Sequence, residues 1–380
     1  MKRTLMTQML RLLLILASTI VSTTTQACTG LQLKAGDGSF INGRTVEFAS
    51  PIPLSGLVIP RNYAFNGTLP DGTKGLAYKA QFAVIGVNAF GEAAILDGLN
   101  EKGLASAAFY FPNYATYTEV TPKNKNIALS PTEFPNWILT QFTTVDEVKQ
   151  NINSVVIVPT SPAGWGLVPP FHYVVYDKTG KSIVIEPING KLVVNDNPIG
   201  VITNSPTFDW HLTNLSNYLN LSPMNAPSKV IDGYKLNSFG QGSGLHGLPG
   251  DFSPPSRFVR AAIFSATATP VSNAAKAVYE AFHLLNQFDI PPGAVGSKTN
   301  EKVTFDLTLA TTVKDPQNLN YYFRTYNDQN IKMIALSAFD LNDKELKSIP
   351  MTGMQPVKDV SATAQSGLID AHPQRSEEGS

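Results

Sequence analysis

Gln26-Ala27-Cys28-Thr29-Gly30-Leu31-Gln32-Leu33 is the stretch on which the reading of the chain turns. Cys28 is the one cysteine among 380 residues. No disulfide can form within the chain, and a lone thiol in an exported protein points to chemistry or to an intermolecular bond. Upstream, Lys2, Arg3 and Arg11 lead into Leu12-Leu13-Leu14-Ile15-Leu16-Ala17, which opens an apolar run to about Val21. A Ser/Thr-rich segment then reaches Gln26-Ala27. A charged start, a short apolar middle and a small residue before the cut are the layout of a secretory signal peptide, and the run is too short to span a bilayer well. Residues 1–27 are read as that signal, cut between Ala27 and Cys28, so that Cys28 becomes the mature N-terminus. The expected destination is the periplasm or the exterior. Lipidation of Cys28 is the rival fate, but such sites carry an apolar residue three positions earlier, where Thr25 stands.

Downstream composition agrees with a folded, exported protein. Hydrophobic residues make up 43% and charged residues 15%, enough for a buried core and unlike a disordered chain. Basic and acidic residues number 29 each; the leader takes away three basic and no acidic ones, leaving 26 against 29, net −3. That balance offers no basic face for nucleic acid. No second long apolar run follows, so no stable membrane insertion is expected once the leader is gone.

Working outward from Cys28, Thr29–Leu33 reads as a strand. Ala35-Gly36-Asp37-Gly38 reads as a turn and Phe40–Phe48 as the returning strand. Further strands are expected at Phe82–Val87, Ala93–Leu96, Gly103–Phe111, Phe171–Tyr176, Ser182–Glu186, Lys191–Val194 and Val201–Thr203. Asn189-Gly190 is a hairpin turn between two of them. Late strands are expected at Lys302–Ala310, Leu319–Thr325 and Ile331–Ala335. Ser130-Pro131-Thr132-Glu133 begins a helix over Phe134–Phe142, and Thr144 caps Val145–Ile152. Helices are also expected at Asp209–Tyr218, Ser256–Ser265 and Ser272–Phe288, the last with Ala275, Val278, Ala281, Phe282 and Leu285 at helical spacing. Antiparallel-looking strand blocks with helical blocks between them describe an α+β domain over 28–354. From about Gln355 to Ser380 the chain is polar without apolar period, the pattern of a disordered tail.

The sequence offers a thiol few conventional partners. Five histidines are present (His172, His211, His246, His283 and His372), but no papain-like signature surrounds Cys28. There is no HExxH, and Gly240-Gln241-Gly242-Ser243-Gly244 lacks the Lys-Ser/Thr ending of a phosphate loop. If export frees Cys28, its own α-amine can act as the base. An α-amine titrates at about 7.7–8.0 and a thiol at about 8.5, so proton exchange between them is nearly balanced. Nucleophile and base then share one residue.

Cys28-Thr29-Gly30, followed by Gly43-Arg44-Thr45-Val46-Glu47-Phe48, resembles the choloylglycine hydrolase family of bile salt hydrolases and penicillin V acylases. The likeness continues through Asp97-Gly98-Leu99-Asn100-Glu101-Lys102-Gly103-Leu104 and Tyr110-Phe111-Pro112. It resumes at Thr203-Asn204-Ser205-Pro206-Thr207-Phe208-Asp209, then at His246-Gly247-Leu248-Pro249-Gly250-Asp251 and Ser256-Arg257-Phe258, in order across about residues 28–340. The resemblance implies a four-layer αββα sandwich, two antiparallel sheets between helical layers, with no metal or organic cofactor and often a homotetramer. By position, Cys28 is the nucleophile, and Arg44 and Arg257 keep thiolate and α-amine poised. Asn204 is the oxyanion donor, and Glu47 bonds the α-amine. Tyr110 stands at a substrate-side position that is often Asn in bile salt hydrolases and Tyr in penicillin V acylases. The family often has Asp where this chain has Glu47, one methylene longer. Asn100 is read as structural, because Asn-Glu-Lys-Gly is turn chemistry.

The implied activity is hydrolysis of a linear amide of a small N-acyl compound through a thioester. Candidate substrates are penicillin V, an N-acyl homoserine lactone or a conjugated bile salt, with Tyr110 leaning away from a strict bile salt hydrolase. The alternatives are a catalytically weak exported binding protein of the same fold, or a surface protein lipidated on Cys28.

Overall fold

The computed structural model describes residues 27–364 apart from 50, 51, 90, 300 and 301. The expected signal peptide, except Ala27, lies outside the described residues, as does the expected tail from 365. Residues 355–364 are exposed.

Cys28 leads directly into a hairpin. Gly30–Lys34 pairs antiparallel with Phe40–Phe48. The connection closes through Ala35 N–H to Ser39 O (2.8 Å), and Asp37 Oδ1 accepts from Ser39 N–H (2.9 Å). This hairpin is one side of a five-stranded antiparallel sheet, completed by Leu307–Asp315, Asn320–Thr325 and Asp328–Ala335 in that order. A second antiparallel sheet has eight strands. From one edge they are Lys191–Asp196, Ser182–Ile188, Phe171–Tyr176, Ala105–Tyr110, Asp97–Asn100, Val84–Asn88, Ser55–Ile59 and Lys347–Pro350. Its central strands Val84–Asn88, Ala105–Tyr110 and Phe171–Tyr176 are buried along their whole length, whereas the edge strand Lys191–Asp196 alternates toward solvent. That difference marks a sheet covered on both faces.

Helices form the outer layers. Ala274–Leu285 packs on the five-stranded sheet, burying Ala274, Ala277, Val278, Ala281, Phe282 and Leu285, one stripe at helical period. Pro254–Thr267 packs beside it on Gly30–Lys34, and Phe134–Gln141 covers the eight-stranded sheet from the other side. The result is the α+β, four-layer αββα sandwich.

Most local expectations hold to within two or three residues. Asn189 and Gly190 both have positive φ (51° and 71°), as a two-residue hairpin with a type I′ turn requires. Thr144 accepts from Glu147 N–H as the cap of Val145–Asn151. Asn100 is structural: Nδ2 donates to Leu139 O and Phe142 O, and Oδ1 accepts from the amides of Lys102 and Leu104. Three expected strands differ. Residues 93–96 form no strand and the strand starts at Asp97, because Ile95 N–H is taken by the Asn136 side chain (2.8 Å) instead of a neighbouring strand. Val201–Thr203 contributes a single bridge, Ile202 to Gly30. Lys302–Ala310 is broken at Asp306, whose N–H goes to Val295 O (2.9 Å).

Candidate active site

Cys28 sits at the joint between the two sheets. Gly30 makes the joint possible, since a Cβ there would stand 2.8 Å from both Ile202 Cγ2 and Phe109 Cζ. The peptide of Gly30 exchanges two hydrogen bonds with that of Ile202 (2.8 and 3.0 Å), which brings Asn204 to Cys28. Cys28 N–H donates to Asn204 Oδ1 (3.0 Å), and Asn204 Nδ2 donates to Tyr110 O (2.7 Å). Two buried histidines hold this loop from behind. His172 Nε2–H donates to Thr203 O (3.1 Å) and His211 Nε2–H to Asn204 O (2.9 Å). His211 also stacks on Phe258, with ring centroids 4.6 Å apart, and burial pushes it down to about 4, leaving it neutral.

The two arginines approach from different elements. Arg257, on Pro254–Thr267, is fully buried and spends its fork on the Cys28 surroundings. Nη1 donates to Cys28 O and to Thr29 Oγ1 (2.9 Å), Nη2 to Asn204 Oδ1 (2.7 Å), and Nε to Phe252 O (2.8 Å). Arg44, on Phe40–Phe48, crosses the sandwich. Nη1 donates to Ala108 O (2.6 Å), Nε donates to Thr45 O (3.1 Å), and the guanidinium lies 4.0 Å from the Phe109 ring centroid. Thr45 in turn ties the hairpin to Cys28: its hydroxyl accepts from Thr29 N–H (3.2 Å) and its N–H donates to Thr29 O (2.9 Å).

Electrostatics leave the site poised and incomplete. Burial pushes the Cys28 thiol above its ordinary value; Arg44 opposes this most, Glu47 reinforces it, and the Glu47 N–H and Arg257 draw it down. Burial also raises the Glu47 carboxyl, to about 8, against the pull of the nearby Thr45 hydroxyl and of both arginines. Glu47 Oε1 accepts from Thr308 Oγ1 (3.1 Å), while Oε2 is buried with no partner among the described residues. An unpartnered buried carboxylate oxygen is costly unless it serves a purpose.

These groups open onto a cavity whose floor is Cys28, Arg44 and Glu47. Its walls are apolar, aliphatic side chains together with the aromatic rings of Tyr110, Phe48, Trp165 and Phe171. Tyr110 meets Phe171 edge-on (6.0 Å), and Phe48 meets Trp165 likewise (5.8 Å). Such a pocket suits an apolar group delivered to a thiol.

All six expected site residues therefore converge, though not in every assigned contact. The nitrogen of Cys28 is held by Asn204 Oδ1, where the resemblance implied Glu47; Ala27 is still attached, so this nitrogen is an amide and offers one hydrogen. Asn204, implied as oxyanion donor, gives one of its two Nδ2 hydrogens to Tyr110 O. Thr29, Thr45, Thr308, His172 and His211 were not singled out from sequence. Thr29 and Thr45 alone had a signal, their places inside Cys28–Gly30 and Gly43–Phe48. Among the described residues no group of three or more His, Cys, Asp or Glu is disposed to hold a metal, and no helix is long and apolar enough to cross a membrane.

Comparison with known proteins fits this geometry. A family model of linear amide C–N hydrolases, the choloylglycine hydrolase family, matches residues 28–349, beginning at Cys28. A bile salt hydrolase/transferase of Clostridium perfringens is 36% identical over 328 residues, 84% of this chain and 96% of that protein. A penicillin V acylase of Pectobacterium atrosepticum is 26% identical over 351 residues, 87% of this chain and 85% of that one. The crystal structure of a variant of conjugated bile acid hydrolase from Clostridium perfringens superposes with a TM-score of 0.77 at 32% identity, covering 88% of this chain and 100% of that one. With a match over most of its length, this chain belongs to the choloylglycine hydrolase family and is a hydrolase of linear amide C–N bonds in small molecules.

Proposed function

We propose that the protein is an exported amidase in which Cys28, freed by removal of residues 1–27, attacks the carbonyl of an N-acyl compound through a thioester. The observation that carries this reading is the grouping of thiol, Cys28 nitrogen and the unpartnered oxygen of Glu47 in one buried place at the foot of an apolar cavity. A thiol raised by burial is a poor nucleophile until something takes its proton. The amide nitrogen of an uncleaved chain cannot do so; a free α-amine can. Once freed, the amine keeps Asn204 Oδ1 as one acceptor, and Glu47 Oε2 is available as another for its ammonium form. The thiolate then attacks, with Arg44 beside it and the second Nδ2 hydrogen of Asn204 offered to the oxyanion. The α-ammonium returns a proton to the departing amine, and water hydrolyses the thioester.

Aromatic walls favour a flat acyl group such as phenoxyacetyl or phenylacetyl. An acyl homoserine lactone with an apolar chain is the next candidate. The related bile salt hydrolases keep conjugated bile salts on the list, and Tyr110 ranks them below the others. The apolar leader supports export.

The test combines mass spectrometry of the mature N-terminus with rates on penicillin V, phenylacetyl amides, acyl homoserine lactones and glycine-conjugated bile salts. A free Cys28 terminus and turnover of at least one amide support the reading. A diacylglycerol adduct on Cys28 would replace it with a lipidated surface protein. Tight binding without turnover by a chain with free Cys28 would replace it with a binding protein of the same fold.

A further inference from the structure

A second, more open cavity adjoins Cys28 through Ala27. Ala27 forms part of its wall, with Asn204, Arg257, Ser205, Asp251 and Asp306 around it. The two cavities meet at the Ala27–Cys28 peptide: Cys28 lines the first and Ala27 the second. Asn204 bridges them, since it lines the second cavity and donates to the backbone of Tyr110, whose ring lines the first.

The second cavity holds a group that the fold does not use. Asp306 is 2% exposed, and its Oδ2 meets no hydrogen-bond partner among the described residues. Its backbone breaks the strand run between Phe305 and Leu307 by bonding Val295, another residue of the cavity wall. Asp251 differs: Oδ1 accepts from Ser253 N–H (2.8 Å) and Oδ2 from Ser256 Oγ (2.6 Å), so its oxygens are engaged by its own loop. Arg257 is likewise engaged, by Cys28, Thr29, Asn204 and Phe252. Asp306 is thus left to find its partner in a ligand. Burial raises its carboxyl to about 6 against the pull of Arg257, as expected of a carboxylate short of donors.

We propose that this cavity is the amine-side subsite of the enzyme and that Asp306 Oδ2 receives a hydrogen-bond donor or positive charge on the amine portion of the substrate. This deepens the proposed function and rests on it, because only loss of Ala27 joins the cavity to the α-nitrogen of Cys28. The acyl group occupies the apolar cavity, and the scissile C–N bond lies over Cys28. The departing amine, after taking its proton, leaves through the second cavity, past Asp306. A carboxylate there favours amines with a second ammonium or hydroxyl group and disfavours those carrying carboxylate or sulfonate, the amine half of penicillin V included, which would meet Asp306 and Asp251 as like charges. The substrate class so named is an aryl- or alkyl-acyl amide of a neutral or cationic amine, not a glycine or taurine conjugate.

The experiment uses the mature enzyme, its Cys28 terminus confirmed by mass, and phenylacetyl amides that differ only in the amine: ethylenediamine, ethanolamine, glycine and taurine. The expected order of kcat/KM is ethylenediamine and ethanolamine above glycine and taurine, by about 10-fold or more for a paired against a repelled charge. In Asp306→Asn the ethylenediamine-to-taurine ratio should fall by at least about 10-fold, and Asp306→Glu should restore part of it. Equal rates for cationic and anionic amides in the unaltered enzyme overturn the proposal without any variant. An unchanged ratio in Asp306→Asn overturns it too. If the unaltered enzyme cleaves none of these amides or penicillin V, the amidase reading is what fails. Calorimetric binding of phenylacetyl ethylenediamine to Cys28→Ser then judges the cavity alone: binding lost on adding Asp306→Asn supports it, and equal binding overturns it.

Discussion

Two clusters of buried charge lie close together in the sandwich, and they are built on opposite terms. One is Asp97, Lys314, Thr312 and Tyr321. Asp97 Oδ1 accepts from Lys314 Nζ, and Oδ2 accepts from Thr312 Oγ1 (2.6 Å) and Tyr321 O–H (2.6 Å). Burial alone would raise the Asp97 carboxyl, but Lys314, Arg44 and the hydrogen bonds hold it below its ordinary value. The other is Cys28, Arg44, Glu47 and Arg257. There the thiol and the carboxyl are both pushed up by burial, and one carboxylate oxygen goes without a partner among the described residues. The first cluster bolts the eight-stranded sheet to the five-stranded one through a fully partnered charge. In the second, unused hydrogen-bonding capacity faces a cavity. A satisfied buried ion is a fastening, and an unsatisfied one is a site.

The comparison predicts different failures for the two clusters. The largest effect belongs to the nucleophile and its amine. Cys28→Ser should fold, being nearly isosteric, and lose at least about 1,000-fold in kcat/KM because a hydroxyl is a poor nucleophile at neutral pH. A mature chain carrying one extra Ala ahead of Cys28 should be folded and nearly as inactive, since its nitrogen is an amide without basicity. Masses of both N-termini, melting curves and rates on one amide decide the matter. Equal rates with and without the extra Ala would remove the α-amine from the mechanism and direct attention to another base.

The fastening should fail in stability instead. Asp97→Asn leaves Lys314 buried without its counter-charge, which costs about 3–5 kcal/mol. Thermal melting should drop by more than about 6 °C, while turnover per folded molecule, measured well below the transition, changes far less than in Cys28→Ser. A drop in turnover without loss of stability would place Asp97 in the site and erase the distinction.

Arg257 stands between the two cases, since it fastens the Cys28 loop with a fork of hydrogen bonds and also lines the reaction centre. Arg257→Lys keeps the charge and loses the fork. Turnover should fall by about 10- to 100-fold, with a smaller melting shift than Asp97→Asn. Equal proportional losses in both would make Arg257 a fastening only.

The sequence reveals the two clusters unequally. Cys28 was readable because its place after the leader and its lone status are local facts, and Arg44, Glu47, Asn204 and Arg257 followed from ordered motifs. The Ala274–Leu285 helix and the Asn189-Gly190 turn were legible because period and turn chemistry act over a few residues. Asp97 lay in a quoted motif, yet Lys314 and Tyr321 are more than 200 residues downstream, and nothing local announces a buried pair. Ala64–Thr68 and Lys74–Lys79 are illegible in the sequence for a packing reason. At Gly67 and Gly75 a Cβ would come within 2.2 and 2.4 Å of Ala128 O, so these strands carry glycine where strand propensity alone would not place it. Asp306 likewise sits inside an apolar run where a sequence reading joins the two sides into one strand.

The smallest expected effect is a slope, and it tests the open cluster from within. Glu47 has a folded value of about 8 against an ordinary 4.5. Between those values the folded chain holds a proton that the unfolded chain has released. Stability from this group is therefore fully present below about pH 4.5 and is lost as pH rises through about 8. A single proton gives a slope of at most about 1.4 kcal/mol for each pH unit in that window. These values describe a chain with Ala27 attached, so the chain carrying one extra Ala before Cys28 should show the slope, and Glu47→Gln in that chain should flatten it. In the mature chain an α-ammonium replaces the Cys28 amide in the cavity that Glu47 also lines, favours the carboxylate and should shrink the slope. Denaturant midpoints of all three chains from pH 5 to 8 give the answer. Identical slopes in the extended and mature chains would mean that Glu47 does not sense the amine, and that its open oxygen serves something other than the N-terminus.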